Sequence, residues 1–172
     1  MNVQTAIQDR YSVRSFDCEK KIPEEVVSQI IEAARVAPSA HNKQPFSIIR
    51  LKSDDARNKI SQCYDRTWFR DASDVLMVVG EEEEAWVYND GRNSALYVDA
   101  AIATTFMQLQ AWELGVGSVW VCAFDREKAC ELFGLEMGKR TPVTLLVLGY
   151  APDTFEPRPR VRKSTEEIYR EI

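Results

Sequence analysis

The most regular pattern in the chain is a series of short apolar runs separated by amphipathic segments. The run at 75–80 is continuous, which predicts a strand buried on both faces. Similar runs at 46–51, 117–124 and 143–150 predict three further strands. Because helical patterns lie between these runs, the chain is expected to form a layered domain of the α/β or α+β class.

Apolar residues at helical spacing predict several helices around these strands. One helix precedes Arg10, and a second has Pro23 at its first position and ends before Pro38. Ser53 and Asp125 are placed to cap the start of two more helices.

The segment 94–114 carries the longest helical pattern, and it is apolar on nearly all sides. A helix of this kind has to be covered by protein on most of its surface. In a domain of this size, either a central position or a subunit interface provides that cover.

Length and composition fit one domain covering residues 1–172, with a proline-rich arm at 151–172. The chain has 172 residues, of which 45% are hydrophobic, so it has enough apolar surface for a real core. Its net charge of −5 argues against general binding to nucleic acid or to anionic membranes. No signal-peptide core is visible, and the four cysteines lack the spacing of a zinc site. We therefore expect a soluble cytoplasmic protein with reduced thiols and no metal.

Several common catalytic motifs fail on spacing. The stretch "GVGSVW" lacks the third glycine of a dinucleotide fingerprint, and the glycines of "GLEMGKRT" are too close for a phosphate-binding loop. His41 has no nucleophile placed beside it by spacing, and Ser39 lacks the glycines of a nucleophile elbow. A hydrolase is therefore a weak hypothesis.

The arginines near the two ends of the chain are more informative. Arg10 and Arg14 flank Ser12 at the end of the first predicted helix, and Arg160 and Arg162 lie in the arm. A planar guanidinium suits phosphate, and a serine hydroxyl adds a donor. Two interpretations remain open: an anion held between the chain ends, or surface arginines paired with some of the 27 acidic residues.

A second unusual stretch is "APSAHNKQPF" at 37–46, which follows a helix end and carries a proline near each end. It offers Ser39, Asn42 and Gln44, which are neutral donors and acceptors. Such a stiff loop would suit a flat, uncharged heteroaromatic group, or it connects a helix to a strand and does nothing else.

Four motifs together resemble the FMN-dependent nitroreductase family: "RYSVRSF", "APSAHNKQPF", "LGVGSVWVCAF" and "PRPRVRKSTEEI", in this order along the whole chain. The resemblance implies an α+β three-layer fold with a mainly antiparallel central sheet and an intertwined homodimer. It also implies FMN bound by residues of four segments. These residues are Arg10, Tyr11, Ser12 and Arg14; Pro38, Ser39, Ala40 and Asn42 of the partner subunit; the backbone of Val121, Cys122 and Ala123; and Arg160 and Arg162.

The same resemblance implies an oxidoreductase that passes a hydride from NADH or NADPH through the flavin to a small acceptor, such as a nitroaromatic or a quinone. No side chain is then required as an acid or base. The alternatives are a specialised flavoenzyme such as a dehalogenase, a non-enzymatic flavin carrier or sensor, and an unrelated anion-binding domain. The chain departs from the family pattern at Cys122, where glycine is frequent, and at Ala40, where a small polar residue is frequent. Near the flavin pyrimidine it offers Asp65, Arg66 and Trp68 in place of the family's Asn and Lys.

Overall fold

The computed structural model describes residues 3–172, so the first two residues of the predicted domain lie outside it. Four strands form one antiparallel sheet in the order β1-β2-β4-β3. They are β1 (Phe46–Arg50), β2 (Asp74–Glu81), β3 (Gly117–Val121) and β4 (Arg140–Gly149). The predicted α+β class with an antiparallel sheet is confirmed.

The central strands are the buried ones, as the continuous apolar runs predicted. Residues 74–80 of β2 are all buried, as are residues 141–149 of β4. The predicted bounds differ by three residues at two strand ends and by one residue at four others. β4 begins at Arg140 because β2 extends to Glu81, which pairs with Arg140 in the ladder. β3 ends at Val121, opposite Leu145, because no ladder continues beyond that pair.

Seven helices surround the sheet in the described part of the chain: α1 (Val3–Asp9), α2 (Glu24–Arg35), α3 (Asp54–Ser61), α4 (Thr67–Asp71), α5 (Leu96–Glu113), α6 (Arg126–Phe133) and α7 (Thr165–Ile168). Alternate residues of β2 face opposite ways. Leu76 and Val78 pack with α2 and α5, whereas Val75 and Met77 pack with α3, α4 and α6. The molecule thus has three layers, and none of its described helices is long and apolar enough to cross a membrane.

Two predicted helix starts are confirmed by their caps. The Ser53 hydroxyl accepts a hydrogen bond from the Ala56 N–H at 3.2 Å, and the Asp125 carboxylate accepts one from the Lys128 N–H at 2.9 Å. The second helix begins one residue later than predicted, with Pro23 as its N-cap. Helix α4 was not predicted, because it is a single short turn.

Helix α5 is covered on only one side within the chain. Ala100, Ala103 and Met107 are fully buried against the sheet. On the other side, Tyr97 and Val98 are 48% and 51% exposed. Helix α5 therefore does not have a central position within a single chain, and the alternative, a subunit interface, stays a prediction.

Candidate functional site

The segment that contains Arg10 and Arg14 is fixed along the edge of the sheet. Ser12 forms a parallel bridge with Ser118 of β3, and the Val13 N–H donates to the Ser118 carbonyl at 2.9 Å. Gly117 permits this approach, because a Cβ there would lie 3.0 Å from the Val13 side chain. The backbone of the segment is thus fixed, while the side chain of Arg14 stays exposed.

The arm reaches back to the same segment. The Arg158 N–H donates to the Tyr11 hydroxyl at 2.7 Å, and the Tyr11 ring meets Phe155 edge-on at 5.6 Å. The Arg160 guanidinium donates to the carbonyl of Arg10 at 2.8 Å and also to the carbonyl of Gln8, at the end of α1. The two chain ends that the sequence singled out are therefore in contact.

We call Arg10, Arg14, Arg160 and Arg162 the arginine cluster. Burial lowers the pKa of the Arg10 guanidinium, and the positive charges of Arg160 and Arg162 lower it further. Among residues 3–172, no carboxylate forms an ion pair with any member of the cluster. The interpretation as paired surface arginines is therefore wrong, and the cluster suits an anion.

A cavity of about 300 Å³ lies beside this cluster. Its walls include Ser12, Arg14 and Phe155, together with the acidic Glu156. Ser118, which pairs with Ser12, has a buried hydroxyl without a hydrogen-bond partner among the described residues. Of the arginine cluster, Arg14 lines this cavity, and Ser12 adds a hydroxyl group to its wall.

The loop at 38–44 has an unusual backbone. His41, Asn42 and Gln44 have φ values of 51°, 54° and 50°, in the left-handed region that most L-residues avoid. Within the loop, the Ser39 hydroxyl accepts from the Gln44 N–H at 2.9 Å, and the Gln44 amide donates to Asn42 at 3.2 Å. A backbone of this kind persists only where its surroundings hold it.

Two contacts from outside hold the 38–44 loop. The Asp99 carboxylate, in the first turn of α5, accepts a hydrogen bond from the Ala40 N–H at 2.9 Å. The His41 ring stacks on Trp86 at 5.0 Å with an angle of 21° between the rings. His41 therefore has a packing role. Sequence reasoning missed Asp99 and Trp86, because neither is close in sequence to the loop.

Within one chain, the 38–44 loop and the arginine cluster lie at different ends of α5. The loop contacts Asp99 near the start of that helix. α1 leads into Arg10, and it borders a groove together with Leu109 and Glu113, which lie near the end of α5. Ten residues of helix separate Asp99 from Leu109, or about 15 Å. A single chain does not bring the predicted residues together.

The third predicted segment lies where β3 ends. Val121 is buried, and its carbonyl accepts a hydrogen bond from the Thr144 hydroxyl at 3.0 Å. Cys122 and Ala123 follow as exposed residues. Their backbone is therefore accessible to a ligand.

Two of the residues suggested in place of the family's Asn and Lys, Asp65 and Trp68, make contacts within the chain. Asp65 forms an ion pair with Arg70 at 2.6 Å, and the Trp68 ring packs 6.2 Å from that of Phe16. Arg66 is the residue before α4. These contacts lie on the layer of α3 and α4, away from the 38–44 loop.

The comparisons with known proteins agree with this architecture. The nitroreductase family model matches residues 7–64 and 56–150. An NAD(P)H FMN reductase from Bacillus subtilis is 28% identical over 91% of this chain and 68% of its own length. The crystal structure of a nitroreductase family protein from Clostridium difficile superposes with a TM-score of 0.90, at 29% identity, covering 99% of this chain and 98% of that one. A protein from Exiguobacterium sibiricum, solved in complex with FMN, has the same fold, with a TM-score of 0.88 at 20% identity over 100% of this chain and 98% of its own.

Proposed function

Because the chain belongs to the nitroreductase family, we propose that it is an FMN-dependent oxidoreductase that uses NADH or NADPH to reduce a small electrophilic acceptor. Nitroaromatics and quinones are the acceptor classes we expect. The observation that carries the proposal is the arginine cluster, which forms no ion pair with a carboxylate among the described residues.

The arginine cluster fits the phosphate of FMN. Arg10, Arg14 and Arg162 supply charge-assisted donors, and Ser12 supplies a hydroxyl. Arg160 has a second task, because it also fixes the arm to the end of α1. Binding a dianion here relieves the repulsion that lowers the pKa of Arg10.

The neutral segments fit the ring system of FMN. Pro38 and Ala40 offer apolar contact, and Ser39 and Asn42 offer donors and acceptors. The backbone of Val121, Cys122 and Ala123 borders the same ring, and Tyr11 lies beside Ser12 at the phosphate end. We assign these roles from the family resemblance together with the exposure and conformation of each segment.

Held by these residues, FMN would supply the redox chemistry, which is hydride transfer between NADH or NADPH and the acceptor. The residues of this chain position the cofactor and shape its electrostatics. Positive charge from the arginine cluster favours binding of the anionic cofactor and stabilises negative charge that develops near it. No side chain has to carry a proton, so catalysis depends on placement.

A homodimer is the simplest way to complete this site. An apolar stripe runs along the uncovered side of α5, formed by Tyr97, Val98, Ala101, Ile102, Thr105 and Phe106. We propose a two-fold dimer in which this stripe packs against its own copy and the axis is perpendicular to α5, so that the two helices run antiparallel. The start of one α5 then lies beside the end of the other. The 38–44 loop of one chain thereby reaches the arginine cluster of its partner.

We further propose that residues 1–172 act as one FMN-binding domain, with residues 151–172 as an arm that completes the phosphate site. The contacts of Tyr11 with Phe155 and Arg158 support that role. Four free cysteines fit a reducing compartment, and we propose the cytoplasm.

The decisive test is the absorption spectrum of the purified protein after dialysis against excess FMN. We expect the bands of oxidised flavin, and rapid bleaching when the protein is mixed anaerobically with NADH or NADPH in a stopped-flow instrument. Bound flavin that bleaches slowly or not at all would indicate a carrier or sensor. Absence of bound flavin would overturn the proposal.

A further inference from the structure

The most unusual buried group of the described chain is the carboxylate of Asp99. Its residue is 1% exposed, and no described cation forms an ion pair with it. One oxygen accepts the Ala40 N–H, and the other, Oδ2, is buried without a hydrogen-bond partner among the described residues. Burial of a carboxylate with so few partners is unfavourable for folding. The residue therefore has a use that stability does not explain.

The one hydrogen-bond partner of the Asp99 carboxylate among residues 3–172 lies in the 38–44 loop, three residues of which have positive φ. Ala40 comes 59 residues earlier in the chain and directly precedes His41 and Asn42, both with positive φ. Asp99 itself lies in the first turn of an 18-residue helix, where the helix dipole favours negative charge. A rigid element thus holds a strained one through one charge-assisted hydrogen bond.

We propose that Asp99 is a positioning residue that fixes the 38–44 loop in the geometry that faces the flavin ring. That the ring is a flavin rests on the proposed function. That Asp99 holds the loop does not depend on it. The same helix carries Tyr97 and Val98 of the apolar stripe, two and one residues before Asp99. The hydrogen bond therefore fixes the loop to the surface that would meet the partner chain. It thereby sets the distance between the loop and the partner's arginine cluster in the proposed dimer.

Three variants separate this role from a structural one. Asp99→Leu removes the acceptor, and Asp99→Asn keeps one acceptor oxygen. Ala40→Pro removes the donor without touching α5, and proline is tolerated at the first position of a helical turn that follows an extended residue such as Ser39. Thr104→Val is the matched control, because the buried Thr104 hydroxyl donates only within its own helix, to the Ala100 carbonyl.

The first measurement is hydrogen exchange of the peptide that covers residues 38–46, with and without FMN. We expect Asp99→Leu and Ala40→Pro to speed exchange in this peptide on the order of tenfold, with Asp99→Asn within about threefold of the parent and Thr104→Val unchanged. The double variant should exchange no faster than Ala40→Pro alone, because both changes break the same bond. Unchanged exchange in Asp99→Leu would overturn the proposal.

The second measurement compares the dissociation constants of FMN and riboflavin with the melting temperature. We expect Asp99→Leu to weaken both ligands by the same factor, on the order of tenfold, because the loop faces the ring and not the phosphate. Its melting temperature should be unchanged or higher, because replacing a poorly paired buried charge is often neutral or stabilising. A lower melting temperature with equal loss of binding in Asp99→Leu and Asp99→Asn would assign a structural role instead. If the parent bound no flavin, the function would fail, whereas the exchange result would still decide whether Asp99 holds the loop.

Discussion

The arginine cluster and the 38–44 loop are held in place by different kinds of contact. The cluster is charged and largely exposed, and its two halves meet through hydrogen bonds from the arm to Tyr11 and to main-chain carbonyls near Arg10. The loop is neutral where it would touch the ligand, and a buried carboxylate and a stacked tryptophan hold it from behind.

The difference agrees with what each region is proposed to recognise. Attraction between a guanidinium and a phosphate falls off gradually with distance, so long side chains perform well without rigid support. A flat ring is oriented by short-range contacts with directional donors and acceptors, which need a fixed backbone. One region supplies affinity for charge, and the other supplies orientation.

The largest effect is expected from removing the arm. Truncation after Tyr150 deletes Phe155, Arg160 and Arg162, so half of the proposed phosphate site is lost, while all four strands remain. FMN binding should be abolished, with near-native far-UV circular dichroism. A chain ending after Lys163, which keeps every arm contact to Tyr11 and Arg10, is the control and should bind FMN. Unchanged FMN affinity after truncation at Tyr150 would show that the arm is not needed for FMN binding.

Mixing two inactive variants tests whether the two regions come from different chains. Arg14→Glu damages the charged region, and Ser39→Trp damages the loop. Co-refolding the two in equal amounts should restore about a quarter of the parent activity, because half of the dimers are mixed and each mixed dimer has one intact site. If mixed dimers form, as native mass spectrometry would show, and no activity returns, each chain builds its own site.

Single arginine variants test the charged region alone. Arg14→Ala or Arg10→Ala should weaken FMN by about 1.5–3 kcal/mol, the typical value of a hydrogen bond to a charged group. Riboflavin lacks the phosphate and should bind almost as before, as measured by fluorescence titration. Arg35→Ala, which removes an arginine already paired with Glu32, is the matched control. Equal losses of affinity for FMN and riboflavin would show that these arginines do not bind the phosphate.

The smallest effect is expected from a change inside the loop. Ser39→Ala removes the acceptor for the Gln44 N–H, a neutral hydrogen bond worth about 0.5–1.5 kcal/mol. FMN and riboflavin should weaken by the same small factor, in contrast to the arginine variants. Ser28→Ala, which loses only a bond to the Glu24 carbonyl of its own helix, should leave both constants unchanged. If Ser39→Ala lost affinity for FMN but not for riboflavin, the assignment of the loop to the ring and of the arginine cluster to the phosphate would be contradicted.

Local features of the fold were visible in the sequence. The caps at Ser53 and Asp125 and the run at 75–80 depend on neighbours within a few residues, and these predictions are confirmed. The arginine pairs at the two chain ends also stood out, because they are unusual in an acidic chain.

Long-range features were not visible. The bond from Asp99 to Ala40 joins residues 59 positions apart, and an aspartate in an apolar helix gives no sign of its partner. The left-handed backbone at His41, Asn42 and Gln44 was missed because no glycine marks it. Val87 and Ser94 form an antiparallel bridge, so the segment between them resembles a hairpin. The sequence Asp90–Gly91 is typical of a hairpin turn, and this signal was overlooked.

The docking of Arg160 on the end of α1 also sets the order in which the protein is completed during translation. The ribosome makes the chain from its N-terminal end, so the residues of all four strands and of α5 are synthesised before residues 155–162. A chain that ends after β4 has every strand of the sheet but lacks Arg160 and Arg162. Cofactor capture is therefore expected to follow synthesis of the arm, and a chain terminated after β4 and released is expected to be folded, colourless and inactive.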